Sequence, residues 1–236
     1  ASIPGCEVFD NATQLYELLG KSFLHVTVSS TTLYEAALFD TPTVLVSYKE
    51  YIDKETIETI YFGGGTPSQL QARDFEIIFD TIHKYYSLSP NAEITLEANP
   101  DDITSTYIES IRPLPFNRIS MGVQSFKNSD LHFLNRRHNR QQALDAVILC
   151  KQHGFSNISI DLIYGLPGQS LEDWQYNLDE VIQLEIPHIS AYHIIYEEGT
   201  ALYKLMKEGK IHPVNEDLSL RLFTQLIRKL NSAGYI

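Results

Sequence analysis

The chain has 236 residues, 43% of them hydrophobic and 20% charged, enough for one large domain or two small ones around a sizeable core. A net charge of −12 argues against nucleic acid or an anionic membrane surface as a general partner, since both select for basic protein. Two cysteines, Cys6 and Cys150, make no disulfide framework and point to the reducing cytoplasm. No segment has the length and purity of a membrane-spanning helix, and the start shows no secretory signal, so membrane insertion is not expected. The first residue is not Met, and Ala-Gly-Tyr-Ile at the end reads as a strand cut short, so truncation at both ends is expected.

The first 47 residues read as a short αβαβ segment. Asn11–Leu19 is a predicted helix, Phe23–Val28 a strand, Thr31–Phe39 a helix and Thr43–Val46 a strand. Ser29-Ser30-Thr31-Thr32 opens the second helix, with Glu35 one turn in. That pattern reads first as an ordinary N-cap with a capping-box glutamate, and secondly as an anion site at a helix N-terminus.

From Tyr48 onward strand and helix alternate. Strand Thr59–Phe62 is followed by a helix from about Ser68 to Tyr86, strand Glu93–Glu97 by helix Ile103–Ile111, and strand Arg118–Val123 by helices Ser129–Leu134 and Gln141–His153. Strand Ser156–Ile163 leads to helix Ser170–Leu184, and strand His188–Tyr196 precedes a last helix, Asn215–Ala233. Such alternation predicts an α/β fold with a parallel sheet and right-handed crossovers. Polar and Gly/Pro-rich residues gather just after each strand, at the carboxyl end where barrels of this class place their ligand sites. Gly63-Gly64-Gly65 lets backbone approach a ligand closely, and Thr66-Pro67 opens the next helix.

The words after these strands stand in a telling order. They are Ile60-Tyr61-Phe62-Gly63-Gly64-Gly65-Thr66-Pro67-Ser68, Leu96-Glu97-Ala98-Asn99-Pro100, Asn117 to Phe126, Leu134-Asn135-Arg136-Arg137-His138, Asp161 to Gln169, and Glu198-Gly199-Thr200. Through them residues 48–236 resemble the oxygen-independent coproporphyrinogen III oxidase family of radical S-adenosylmethionine (SAM) proteins, and within it the HemW branch of haem chaperones. The resemblance implies a partial radical-SAM (β/α) barrel of parallel strands, with SAM as cofactor and porphyrin or haem as partner. It places the SAM contacts on Gly64, Gly65 and Thr66 for the amino-acid end, on Glu97 opposite its cation, and on Gln124 and Arg136. Asp161 is implied for the ribose hydroxyls and Ile195 for a main-chain contact to adenine. Read singly, Glu97 and Asp161 are strand-end caps, Gln124 a loop satisfier and Arg136-Arg137 a solvated pair; it is their order as a set that favours the SAM contacts. His132 and His138 give no compact metal set. Tyr51, Tyr61, Tyr164 and Tyr192 read as wall and core aromatics.

The family's [4Fe–4S] cluster needs Cys-x3-Cys-x2-Cys on its first strand and loop, and these residues hold only Cys6 ahead of Gly63. The barrel is thus expected to lack its first strand and cluster loop, with no catalytic or metal residue to assign. Cys150 is expected in the core. The family's later His-Asn-x-x-Tyr-Trp haem motif does not occur in the chain either. Residues 1–47 instead resemble the donor half of glycosyltransferases and nucleotide-sugar epimerases, through Ser29, Ser30, Thr31, Glu35, Ala36 and Pro42. The expectation is a join near residue 47, natural or artefactual, between a nucleotide-sugar-type fragment and a radical-SAM fragment.

Overall fold

A computed structural model of the chain describes residues 25–27, 43–48 and 56–236. The helices expected at 11–19 and 31–39, the Ser29–Glu35 helix start, Cys6 and Tyr51 lie outside the described residues. The chain divides into two units, Ala1–Ala98 with Ser110–Asn117, and Asn99–Glu109 with Arg118–Ile236. Parallel strands alternating with helices give the α/β architecture of a partial (β/α) barrel.

In the first unit the strands are β1 (His25–Thr27), β2 (Thr43–Tyr48), β3 (Thr56–Gly63) and β4 (Ser87–Ala98), paired in that order. β3 and β4 are parallel, as expected. β2 runs antiparallel to β3, Thr43 opposite Gly63 and Val46 opposite Ile60. The edge of β3 away from β4 is therefore paired, and β2 continues through Tyr48, past the expected join. β4 is longer than the sequence suggests. Pro90 and Asn91 look like strand breakers, but the register jumps from Ile57 opposite Leu88 to Thr59 opposite Glu93, and this irregularity absorbs them.

Pro67–Gln69 forms one 3-10 turn, after which Leu70 is extended. Helix α1 then starts at Ala72 and runs to Tyr85, later than the expected Ser68, with Asp74 accepting the Gln71 N–H at 2.9 Å. Its Phe75, Phe79 and Ile82 recur on one face and are buried. Phe62, Phe75, Phe79 and Phe116 form a ring cluster with centroids 5.0 to 5.3 Å apart, mostly edge-on. Each such pair adds about 0.5–1.5 kcal/mol beyond its area.

Helix α2 covers Ser105–Ile111. In the second unit β5 (Arg118–Gln124), β6 (Ile158–Tyr164) and β7 (His188–His193) are parallel neighbours in that order. Alternation along them sorts the two faces. Ile119, Met121 and Val123 of β5 and Ile158, Ile160 and Leu162 of β6 are fully buried. The opposite face carries Ser120 and Ser159, also buried, then Gly122 and Asp161, half-buried. Helices α3 (Asn128–Phe133) and α4 (Arg140–Gln152) follow β5, and α5 (Leu171–Gln183) follows β6. Asn139 and Ser170 cap α4 and α5 reciprocally with Gln142 and Asp173. Ala143, Val147 and Cys150 of α4 and Trp174, Leu178 and Val181 of α5 are buried, so Cys150 sits in the core as expected. α6 (Ala201–Lys207) is an element the sequence reading does not contain, and α7 (Glu216–Ser232) closes the unit against α5. No helix among the described residues is long and apolar enough to cross a membrane.

Candidate functional site

The glycine run ends β3 in a sharp left-handed bend, with Gly64 at φ 71° and Gly65 at φ 55°. Few other residues hold two successive positive φ values. The Gly64 N–H donates to Glu97 Oε2 at 3.2 Å, and the Tyr61 hydroxyl donates to Glu97 Oε1 at 2.6 Å. A Cβ on Gly63 would sit 2.6 Å from Tyr61 Cε1 and 3.1 Å from the Glu97 carboxyl carbon, so Gly63 is glycine to let these two side chains meet. The half-buried Glu97 carboxylate thus reaches its strand end already oriented, with acceptor positions beyond those two bonds. Thr66 makes no side-chain cap and is half-buried beside exposed Gly65. Gly64 and Glu97 are joined directly; Gly65 and Thr66 are their chain neighbours.

The second unit brings together Gln124, Arg136 and Asn99 around Gly122. Arg136 Nη2 donates to Asn99 Oδ1 at 2.7 Å and to the Gly122 carbonyl at 3.0 Å. A Cβ on Gly122 would fall 3.0 Å from Gln124 Nε2 and 3.3 Å from Arg136 Nη2. Both side chains therefore converge over a glycine that leaves them room. Both Arg136 acceptors are neutral, so the guanidinium keeps a net positive charge there. Burial lowers its pKa, and the carboxylates of Asp101 and Asp161 pull the other way. An arginine so placed remains a cation and suits a carboxylate or another planar anion. Asp161 stands on the same face of β6, opposite Ser190 of β7. Arg137 is not merely solvated; it bridges Asp101 and Asp102 at 3.0 Å each. His138 is buried, with Nε2 on the Val123 carbonyl at 3.0 Å. Ile195 lies past β7 with its side chain 73% exposed. The neighbouring Ile194 N–H reaches the Tyr164 carbonyl at 2.9 Å, so main chain rather than side chain carries the contacts here.

The sequence reading passed over Tyr61, Asn99 and His138 as site-forming residues. Tyr61 and Gly63 share a strand face two residues apart, and a glycine beside a tyrosine on one face is the signal that a ring lies over it. Asn99 stands inside a quoted motif, just before a proline, without an assigned role.

The model of the radical SAM superfamily matches residues 28–181. The chain belongs to the radical SAM superfamily. That match begins inside the segment to which the sequence lends a nucleotide-sugar likeness, and nothing in the comparisons supports a fused fragment of that kind. The haem chaperone HemW of Lactococcus lactis is 35% identical over 191 residues, 81% of this chain and 50% of that protein. HemW of Escherichia coli K12 is 35% identical over 187 residues, 78% of this chain and 48% of that one. The chain thus spans about half the length of the curated relatives it matches. Among solved structures, the coproporphyrinogen III oxidase HemN of Escherichia coli superposes with a TM-score of 0.67 at 26% identity, covering 77% of this chain and 42% of that one. The radical SAM fold expected from the sequence is therefore the fold found.

The superfamily implies SAM and a [4Fe–4S] cluster, and the described residues fit the two unequally. Taken by itself, the oriented Glu97 carboxylate of the first unit suits an ammonium, and Arg136 of the second unit suits a carboxylate. A cluster calls for several thiolates. Among the described residues no three His, Cys, Asp or Glu side chains are grouped to hold a metal ion. Cys150 is buried, and burial pushes its thiol up to about 12, the opposite of a ligand thiolate.

Proposed function

We propose that this chain is the SAM-binding part of a HemW-like radical SAM protein that handles haem or a porphyrin. We further propose that its 236 residues carry out no cluster-dependent redox chemistry on their own. The observation that supports the SAM reading is the convergence of Gln124 and Arg136 over Gly122, two residues that the family resemblance assigns to SAM. Haem handling is supported by the similarity to the HemW chaperones.

In this reading Arg136 forks onto the SAM carboxylate and Gln124 adds an amide donor beside it. Glu97, held by Tyr61 and the Gly64 N–H, offsets the positive charge of SAM. The backbone of Gly64 and Gly65, with Thr66, meets the amino-acid end, Asp161 the ribose hydroxyls and the Ile195 main chain the adenine. Bound SAM supplies a sulfonium whose carbon–sulfur bond is open to reductive cleavage. The chain's own residues bind it, orient it and shield it from water. The alternative is of another class, a binding module that holds SAM or haem as a chaperone or relic and performs no enzymatic step.

Equilibrium dialysis with labelled SAM tests the reading. Binding on the order of millimolar, about −4 kcal/mol, is expected without an iron ligand for SAM. Asp161→Ala and Glu97→Ala should each abolish it, since a charge-assisted hydrogen bond contributes roughly 1.5–3 kcal/mol. Wild-type binding unaffected by either substitution would show the site to be elsewhere. Haem titrated into the same protein reports the cargo through its absorption band, and no shift at saturating haem counts against haem handling.

A further inference from the structure

We infer that His138 is a positioning residue, which holds a strained turn at the end of β5 and so aims Gln124; this rests on the SAM-site reading above. Gln124 has φ 69°, in the left-handed region, yet it is not glycine. The Ser125 N–H donates to the Val123 carbonyl at 2.9 Å, so Gln124 is the middle of a three-residue turn. Turns of this kind with positive φ are rare and strained, and they persist only where their surroundings enforce them.

The neighbouring side chains supply that enforcement. Just before the turn, the Gly122 carbonyl accepts Arg136 Nη2 at 3.0 Å. At the turn itself, the Val123 carbonyl accepts His138 Nε2 at 3.0 Å as well as the Ser125 N–H. Just after it, Asn177 Oδ1 accepts the Phe126 N–H, and Ser125 Oγ donates to Asp130 at 2.7 Å. Segment 136–138 enters directly from the end of α3, where Asn135 takes φ 53° and the Arg136 N–H caps the Leu131 carbonyl. Arg137, tied to Asp101 and Asp102, fixes the middle of the segment. Arg136 and His138 thus fasten one strand end, and Arg137 between them anchors their segment.

The chemistry of His138 separates positioning from space-filling. Donation from Nε2 to a carbonyl fixes the tautomer and leaves Nδ1 a bare acceptor. That Nδ1 is buried without a hydrogen bond, and Asp101 Oδ1, at 3.9 Å, is itself an acceptor with no proton to give it. A residue present only to fill volume would be better without that nitrogen. The donor on the other side of the ring is what the site gains.

The test compares wild type, His138→Gln and His138→Leu in the full chain. Glutamine keeps an N–H donor at similar reach; leucine fills the space without one. Amide hydrogen exchange at Ser125 and Phe126 reports the turn, an NMR titration with SAM reports the site, and thermal midpoints report the fold. Expected for His138→Leu is roughly tenfold faster exchange at those two amides and about tenfold weaker SAM binding, with His138→Gln within about threefold of wild type. If His138→Leu does not fold, His138→Met carries the same comparison. Equal losses in the glutamine and leucine variants, or no change in either, would overturn the inference. Wild-type protein that binds no SAM but shows the predicted exchange pattern refutes the SAM reading and leaves the positioning role standing.

Discussion

The strained turn at Gln124 makes a prediction whose sign is unusual. In an ordinary strand alanine is more stable than glycine by about 0.5–1 kcal/mol, because glycine loses more backbone entropy on folding. At φ 69° the order should reverse. A left-handed residue with a Cβ costs about 1–2 kcal/mol relative to glycine. Subtracting the entropy of glycine leaves Gln124→Gly more stable than Gln124→Ala by about 0.5–1 kcal/mol. Ser190, half-buried on β7, supplies the control, and there alanine should beat glycine. The assay is urea unfolding followed by the fluorescence of Trp174, the single tryptophan. Trp174 is buried and stacked on Tyr164 with centroids 5.2 Å apart, and so reports this unit. Both Gln124 variants lack the carboxamide, so both should bind SAM less well even as one gains stability. An alanine variant as stable as the glycine variant would refute the claim that the turn is strained.

Other consequences are as direct. Gly165 has φ 79°, and a Cβ there would lie 2.5 Å from His193 Nε2, which bonds Ser219 Oγ at 2.8 Å. Gly165→Ala should therefore cost roughly 2–3 kcal/mol in the same urea assay, and a loss under about 1 kcal/mol would contradict the packing. Burial, foremost, holds the His138 pKa below its unfolded value, against the opposing pull of the Val123 carbonyl and Asp101. Its contribution is complete above the unfolded pKa of about 6.5 and is lost as pH falls toward the folded one, because the unfolded chain then binds the extra proton. Urea midpoints should accordingly drop on acidification below about 6.5 in wild type and drop less in His138→Gln, and parallel pH profiles would contradict this. Cys150, buried with its thiol raised to about 12, should resist iodoacetamide in the native protein and react once urea unfolds it. Peptide-resolved mass spectrometry reads this at one site, and rapid native modification would place Cys150 wrongly.

Much of the fold is legible in the residues. The strand read at Ser156–Ile163 is found at Ile158–Tyr164, and the helix read at Ser170–Leu184 is found at Leu171–Gln183 with Ser170 as its cap. Apolar periodicity and cap chemistry carry that information locally. What fails is what periodicity does not encode. The direction of β2 against β3 leaves no mark in either strand's pattern. Helix α6 buries no residue, so its sequence has no core-facing stripe to reveal it. Of the proposed site residues, Gly64, Glu97 and Gln124 stand out at strand ends and Arg136 follows a helix, but bonds that orient them join residues far apart in sequence. Tyr61 meets Glu97 across two strands, and Asn99 meets Arg136 across 37 positions. The left-handed backbone of Gln124 is invisible in a residue type that rarely adopts it.

The proposed SAM site and the proposed lack of a cluster are both addressed by one measurement. Labelled SAM is titrated under anaerobic conditions before and after reconstitution with iron and sulfide, with electron paramagnetic resonance recorded on the reduced sample. The predicted result is weak SAM binding, on the order of millimolar, equal in both preparations, lost in Asp161→Ala, and no cluster signal in either. A stoichiometric [4Fe–4S] signal with SAM affinity rising on reconstitution, or no SAM binding at all, would contradict it.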